Sequence, residues 1–328
     1  MMESKAGCRL EYIDFCKVFA IFLVTFAHCA QQLCGEKFPV LLVSKDSFIS
    51  VNMAVFMIAS GMVMNVDKMR CVPVAGYLWS KTLRLLLPMA VWYLVMCVVT
   101  LSPPRLPVFW SLYWYLGALF VCLSLVRLLA GVFRSNVAVA ILSIAILTAI
   151  PMISFERSCY MMPFLWLGYC LRSFVGKVRG VLLVALLLAY LVLYCFWDIE
   201  YSIYVTPFHI WNVDVHSLFS LFFRFAIGAT GGVAVIALAR WLISERRVSW
   251  MRRLSEYGRY TLVFYTMSFV LNAILARILW HTGCYVTTPG LLDAATLLVT
   301  SAMMILMYFV QKLLRHYGVL RLLFLGEK

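Results

Sequence analysis

Residues 13–33 read IDFCKVFAIFLVTFAHCAQQL, and this stretch decides the fold class. A run of about twenty mostly apolar residues is what a helix needs to cross roughly 30 Å of hydrocarbon. Polar and apolar residues do not alternate along it, which argues against a strand of a closed barrel. The stretch therefore predicts a membrane-spanning helix.

Similar runs recur along the 328 residues, of which 64% are hydrophobic and 13% charged, with a mean hydropathy of +0.95. Soluble domains carry roughly 25% charged residues. We predict an all-α, polytopic integral membrane helical bundle of about ten transmembrane helices. It forms a single domain over residues 1–328, without a separate soluble domain. The predicted spans lie near residues 13–33, 48–66, 83–101, 111–131, 137–152, 160–175, 180–198, 215–239, 260–281 and 291–312.

The net charge of +14 comes from basic residues on one side of this series of spans. The side that holds the N-terminus carries Lys5, Arg9, Lys68, Arg70, Lys81, Arg84, Arg134, Arg172, Lys177, Arg179, Arg240, Arg246, Arg247, Arg252, Arg253, Arg259, Arg315, Arg321 and Lys328. The opposite side carries only Lys37, Lys45, Arg105 and Arg157. The positive-inside rule predicts cytoplasmic termini in a multi-pass protein of the cell membrane. The excess charge thus reflects membrane topology, and we predict no nucleic-acid partner.

Two other features set the organisation of the chain. The eleven cysteines lie mostly in apolar runs without metal-ligand spacing, so we expect no metal site. The segment from Arg240 to Arg259 is the longest hydrophilic stretch, and we expect it to form a basic cytoplasmic loop.

Ionisable residues occur within the first predicted span. Ten residues separate Lys17 from His28, so the two side chains project from one helical face about 16 Å apart along the axis. Asp14 lies one turn before Lys17 on the same side. An imidazole at membrane depth indicates a functional site by default. A structural histidine, hydrogen-bonded to a neighbouring helix, is an equal alternative on this spacing.

Tyr12, Asp14, Lys17 and His28 resemble the first helix of the acyltransferase-3 family, in which an Arg or Lys is followed after ten residues by a His. Residues 51–61 are similar to the aromatic run of that family that ends in Ser-Gly.

The resemblance continues at the start of the third span. Lys81-Thr82-Leu83-Arg84 is similar to the Arg-x-x-Arg of the family at the cytoplasmic end of that helix. Further segments resemble the family in the same order, so that the resemblance covers nearly the whole chain: Tyr113–Leu119, Pro163–Tyr169 and Gly258–Tyr265. Most of their aromatic side chains are expected in an interfacial belt or in helix packing.

Some positions depart from the family pattern. Relatives often carry His where this chain has Asn52 and Ser268, and neither replacement takes up a proton near neutral pH. Lysine replaces arginine at Lys17 and Lys81, which keeps the charge but loses the planar fork for phosphate.

The resemblance implies transfer of an acyl group, acetyl being the preferred candidate, from cytoplasmic acyl-coenzyme A to a hydroxyl of a cell-surface or exported glycan. Lys17, Lys81 and Arg84 would hold the phosphates of the donor. His28 would be catalytic, as the general base or through an acyl-imidazole intermediate. Acyl-coenzyme A is thus a donor substrate, and no permanently bound cofactor is expected.

Polar residues elsewhere are candidates for binding the acceptor, a glycan or a lipid-linked sugar: Asn52, Arg224 and Arg277. For the two arginines, snorkelling to the interface or pairing with Asp198, Glu200 or Asp214 is at least as good an interpretation. The three histidines near the predicted outer surface are expected to be structural or solvated: His209, His216 and His281.

Two alternatives to an enzyme remain open at the level of sequence. A transporter or flippase would also need many spans and a basic cytoplasmic face, and would move its substrate without covalent change. A catalytically silent membrane scaffold would explain the missing histidines at Asn52 and Ser268, although the intact pair of Lys17 and His28 argues against it.

Overall fold

The computed structural model describes residues 10–35, 43–149, 156–178, 180–201 and 214–327. All regular structure in these ranges is helical, and they contain no strand. Five of the basic residues used to predict the sidedness of the chain lie outside the described residues: Lys5, Arg9, Lys37, Arg179 and Lys328.

A helix lies at each of the ten positions where the sequence predicts a span. In chain order these helices are α1 Glu11–Cys34, α2 Val43–Val63, α3 Val74–Thr100, α4 Trp114–Val132, α5 Asn136–Ala149, α6 Glu156–Leu171, α7 Val181–Cys195, α8 Val215–Arg240, α9 Thr261–Thr282 and α10 Pro289–Leu314. A last helix, α11, covers Gly318–Leu325.

Six helical stretches of the described residues are long and apolar enough to cross a membrane: Glu11–Cys34, Val74–Thr100, Trp114–Val132, Val215–Glu245, Ser249–Thr282 and Gly290–Leu314. Three further apolar helices are shorter: Ile49–Val63, Asn136–Ala149 and Val181–Cys195. The helical membrane architecture is thus confirmed. Ten crossings and two cytoplasmic termini stay predictions.

Helix α2 lies at the centre of the bundle, because it packs against α1, α6 and α8. Its contact with α6 depends on two glycines that bring the backbones together. A Cβ atom added at Gly61 would overlap the carbonyl oxygen of Leu165, and one added at Gly168 would overlap the carbonyl oxygen of Ile58. Small residues allow such close approach between membrane helices. The Ser-Gly and Trp-Leu-Gly-Tyr segments of the sequence thus meet in one interface.

The segment between Arg240 and Arg259 is helical rather than a loop, which corrects the expectation from its hydrophilic sequence. It contains a π turn, a short helix at Ser249–Ser255 and a 3-10 turn at Glu256–Tyr260. The short helix packs on α1, where Met251 and Ser255 are buried. A scattering of apolar residues among the arginines gives this segment a face to bury, which average polarity does not reveal.

Helix α11 returns the C-terminal part of the chain to the beginning of α3. The indole Nε1 of Trp92 donates a hydrogen bond to the carbonyl oxygen of Phe324 at 3.2 Å, and the two rings meet edge to face at 5.1 Å. A Cβ atom at Gly326 would lie 2.8 Å from the carbonyl oxygen of Leu83. The backbone there forms a π turn over Thr82–Leu86, which carries Arg84.

The glycine contact between α2 and α6 gives a first prediction. Gly61→Ala and Gly168→Ala should each destabilise the protein by roughly 1–3 kcal/mol, because the added methyl group must push two backbones apart. The measurement is the melting temperature of the purified protein in detergent. Gly76→Ala is the matched control, since Gly76 is helical and has no atom within 4 Å of an added Cβ. A wild-type melting temperature for Gly61→Ala would contradict this packing.

Candidate active site

The site is built on α1, most of whose residues are buried among other helices. Lys17 and Asp14 are half-buried and form an ion pair, with 3.7 Å between Lys17 Nζ and Asp14 Oδ1. Their side chains are 22% and 15% exposed. The structure therefore confirms that they share one side of the helix, and the carboxylate compensates the lysine charge in an apolar setting.

His28 lies near the other end of α1 and is also half-buried. Its ring packs against Phe269 of α9, with 5.0 Å between ring centroids. Its Nδ1 is 3.3 Å from Oε1 of Gln31, one turn further along α1. If Nδ1 carries the proton and donates it to Gln31, Nε2 holds the lone pair that a general base or nucleophile needs. This geometry is compatible with the chemistry predicted for His28.

Phe269 connects His28 to a group of buried aromatic residues. Its ring lies 5.3 Å from that of Tyr113 and 5.2 Å from that of Tyr265, and Tyr265 lies 5.7 Å from Tyr115. Tyr113 and Tyr115 are almost completely buried. They therefore belong to helix packing rather than to an interfacial belt. The one signal of this aromatic group in the sequence is that its aromatic segments follow the order of the family.

The two positions that lack the histidines of relatives lie on helices that pack against α1. Asn52 is buried on α2, and its Oδ1 accepts a hydrogen bond from the backbone N–H of Met53 at 2.6 Å. Ser268 is buried on α9, where its Oγ donates to the carbonyl oxygen of Tyr265 at 2.8 Å. Both side chains thus form hydrogen bonds within their own helices, and neither side chain titrates near neutral pH.

Lys81 and Arg84 lie in the first half of α3, with Arg84 in its π turn. The Nζ of Lys81 is 5.3 Å from the centroid of the Tyr77 ring, a cation–π contact. Arg84 is exposed. Helix α9 packs against both α1 and α3 and so connects the helix of Lys17 with the helix of Lys81 and Arg84. Arg84 and Lys17 are further linked through the C-terminal part of the chain.

This link begins at Asp14 and runs through the Gly-Arg-Tyr segment. A Cβ atom at Gly258 would overlap Asp14, so the turn at Gly258 lies directly on α1. The hydroxyl of Tyr260 accepts a hydrogen bond from Arg315. Arg315 also pairs with Glu327, with 3.2 Å between Nε and Oε2. Glu327 follows the glycine that packs on the backbone of Arg84, so that one chain of contacts joins the beginnings of α1 and α3.

The candidate acceptor residues Arg224 and Arg277 differ in exposure. Arg224 is buried on α8 and donates to the carbonyl oxygens of Tyr201 and, at 3.3 Å, Glu200. Arg224 thus binds the backbone of the connection that precedes α8. Arg277 is exposed on α9, and its Nη1 donates to the carbonyl oxygen of Val99 at 2.7 Å.

Of the histidines expected to be structural or solvated, two can be placed. His216 is exposed, with its ring 6.5 Å from that of Tyr201. His281 is exposed and lines an open groove together with Arg277. His209 lies outside the described residues.

Comparison with known protein families adds to this geometry. The family profile described as an acyltransferase domain matches residues 10–325. No curated protein and no solved structure matches the chain. The match includes Asp14, Lys17, His28, Lys81, Arg84 and the other candidate residues up to Arg315. The chain therefore belongs to the acyltransferase-3 family and is a membrane acyltransferase by family.

Proposed function

We propose that this protein is an O-acyltransferase of the cell membrane. It moves an acyl group, acetyl being the preferred candidate, from cytoplasmic acyl-coenzyme A to a hydroxyl of a cell-surface or exported glycan. The observation that carries this proposal is α1, a mostly buried helix that holds the Lys17–Asp14 pair at one end and His28 against Phe269 near the other. Membership of the family supports the reaction class.

The donor enters from the side on which Lys17, Lys81 and Arg84 lie. Coenzyme A carries several phosphate charges, and cations at the predicted cytoplasmic ends of α1 and α3 attract them. The pantetheine arm then extends along α1. Since Lys17 and His28 are about 16 Å apart along the helix axis, this arm brings the thioester from the charged entrance to the imidazole.

The chemical step is acyl transfer to a hydroxyl. Nε2 of His28 takes the proton of the acceptor hydroxyl while the oxygen forms a bond to the thioester carbonyl carbon. The carbon–sulfur bond then breaks, and the imidazolium returns the proton to the departing thiolate of coenzyme A. In the second route the imidazole attacks the thioester carbonyl carbon first, and the carbon–sulfur bond breaks to release the thiolate of coenzyme A. The acceptor hydroxyl then attacks the acyl-imidazole, the acyl–nitrogen bond breaks, and the hydroxyl proton passes to the imidazole nitrogen that is released. In both routes His28 acts without a second histidine, because Asn52 and Ser268 stand at those positions.

The acceptor approaches from the opposite side of the bundle. Of the two candidate arginines, Arg277 is better suited to bind a sugar or a lipid-linked pyrophosphate, because it is exposed beside an open groove. Arg224 is buried against backbone carbonyls, which favours a role in holding the connection before α8. Asn52 is the third candidate, and it lies on α2, which packs against α1.

The catalytic role of His28 gives the second prediction. Cells that express His28→Ala should lose the ester-linked acyl group on their surface glycan, because a positioned general base contributes roughly 10²–10⁴-fold to rate. The measurement is ester content of purified glycan at equal protein levels. His316→Ala is the matched control, since His316 is an exposed histidine. Cells that express His316→Ala should carry as much ester on their surface glycan as cells that express the wild type.

Equal acylation by His28→Ala and the wild type would reject His28 as the catalytic residue. A wild-type protein that moves its substrate without any ester on the glycan would favour the transporter or flippase. If the protein changes neither the ester content of the glycan nor the movement of a substrate, the catalytically silent scaffold is favoured.

The donor site gives the third prediction. Lys81→Ala combined with Arg84→Ala should weaken binding of coenzyme A to the purified protein by roughly tenfold or more, because two cations near the phosphates are lost. The measurement is the dissociation constant in detergent. The control pair Lys68→Ala and Arg134→Ala removes two exposed charges from the same predicted side. Unchanged affinity in the first pair would place the nucleotide elsewhere.

A further inference from the structure

Arg127 is a buried arginine that neither the proposed donor site nor the family match assigns. It lies on α4, one turn before the end of the helix, and is only 5% exposed. Its Nε donates to the carbonyl oxygen of Val72 at 3.1 Å, and its Nη2 donates to the same oxygen. A buried guanidinium is costly unless its donors are satisfied or its charge is compensated.

One nitrogen of this guanidinium is not satisfied. Among the described residues, Nη1 of Arg127 has no hydrogen-bond partner, and no carboxylate pairs with the side chain. Gly131 provides the room for Nη1, because a Cβ atom there would lie 2.9 Å from it. This side chain, which is nine-tenths buried, thus has one donor without an acceptor and no carboxylate to compensate its charge in the described part of the chain.

Arg70 shows how the same part of the fold satisfies a structural arginine. Its guanidinium pairs with Asp67 at 2.6 Å and donates to Asn136 and to the backbone at the end of α4. Arg70 thus has a carboxylate and several acceptors, whereas Arg127 has one carbonyl. The lack of a carboxylate and of further hydrogen-bond acceptors at Arg127 is therefore not a general property of this end of α4.

Arg127 lies beside the proposed donor entrance. Helix α4 packs against the beginning of α3, including the π turn that carries Arg84. Arg127 binds the carbonyl oxygen of Val72, two residues before α3, and the ring of Tyr77 in the first turn of α3 contacts the Nζ of Lys81. The two cations thus flank the same short stretch of chain. We infer that Arg127 is a further binding residue of this acyltransferase, whose Nη1 donates a hydrogen bond to a phosphate oxygen of the acyl donor next to Lys81.

This inference rests on the proposed function, since it assigns the phosphate to coenzyme A. The same phosphate chemistry is present in the headgroup of an anionic lipid. A purely structural Arg127 that fastens Val72 to α4 is the other possibility. These three cases differ in what happens when Arg127 is replaced.

The experiment measures binding of coenzyme A and of inorganic pyrophosphate to the purified full-length chain in nanodiscs that contain phosphatidylglycerol. Arg127→Gln should weaken coenzyme A binding roughly tenfold, as expected for one charge-assisted hydrogen bond, and should weaken pyrophosphate binding with it. Gly131→Ala keeps the charge but displaces Nη1, and should also weaken coenzyme A binding. It replaces Arg127→Gln as the test if that variant fails to fold. Arg134→Gln, an exposed arginine nearby, should bind as the wild type does.

The other outcomes overturn the inference in distinguishable ways. Wild-type affinity in Arg127→Gln and Gly131→Ala, with a lower melting temperature, would make Arg127 a structural residue only. Unchanged coenzyme A affinity with loss of copurified phosphatidylglycerol would assign the site to lipid. Wild-type protein that binds pyrophosphate through Arg127 but not coenzyme A would reject the donor and keep Arg127 as an anion-binding residue. If the wild-type protein binds neither coenzyme A nor pyrophosphate, both the donor site and the anion-binding role of Arg127 are rejected.

Discussion

Ionisable side chains within an apolar helical chain must lie inside the bundle, and this constraint shapes the protein around α1. Lys17 and Asp14 compensate each other at one end of the helix, and His28 packs on Phe269 near the other. Exposure of these groups to lipid would cost several kcal/mol. Surrounding helices therefore enclose α1 on several sides. Half-burial leaves the lysine and the imidazole accessible enough for chemistry while the rest of the helix is covered.

The packing of the other helices serves this arrangement. Gly61 and Gly168 let α2 approach α6 at backbone contact, which fixes the position of one helix that covers α1. Helix α9 covers another side and brings Phe269, which packs against Tyr113, directly before α4, and against Tyr265 of α9 itself. The C-terminal residues link the beginnings of α1 and α3 through Arg315. Site geometry in this protein thus depends on contacts between helices that are distant in sequence.

The sequence predicted the positions of the ten helices and the shared face of Lys17 and Asp14, because both follow from local periodicity and hydropathy. It did not predict the partner of His28. Contact with Phe269 depends on how α9 packs, which no local pattern encodes. It also missed the helical form of residues 240–259, where a buried face is hidden by high average charge. Arg127 was overlooked for a related reason, since a single arginine near the end of an apolar helix is typical of snorkelling.

We propose that this membrane acyltransferase modifies a glycan that the cell exports. The most direct measurement is a mass spectrum of intact surface polysaccharide from otherwise identical cells with and without the protein. We expect sugar units with an added acyl mass that mild alkali removes, found only in cells that contain the protein. Identical spectra, together with unchanged spectra of lipid-linked sugars, would contradict it.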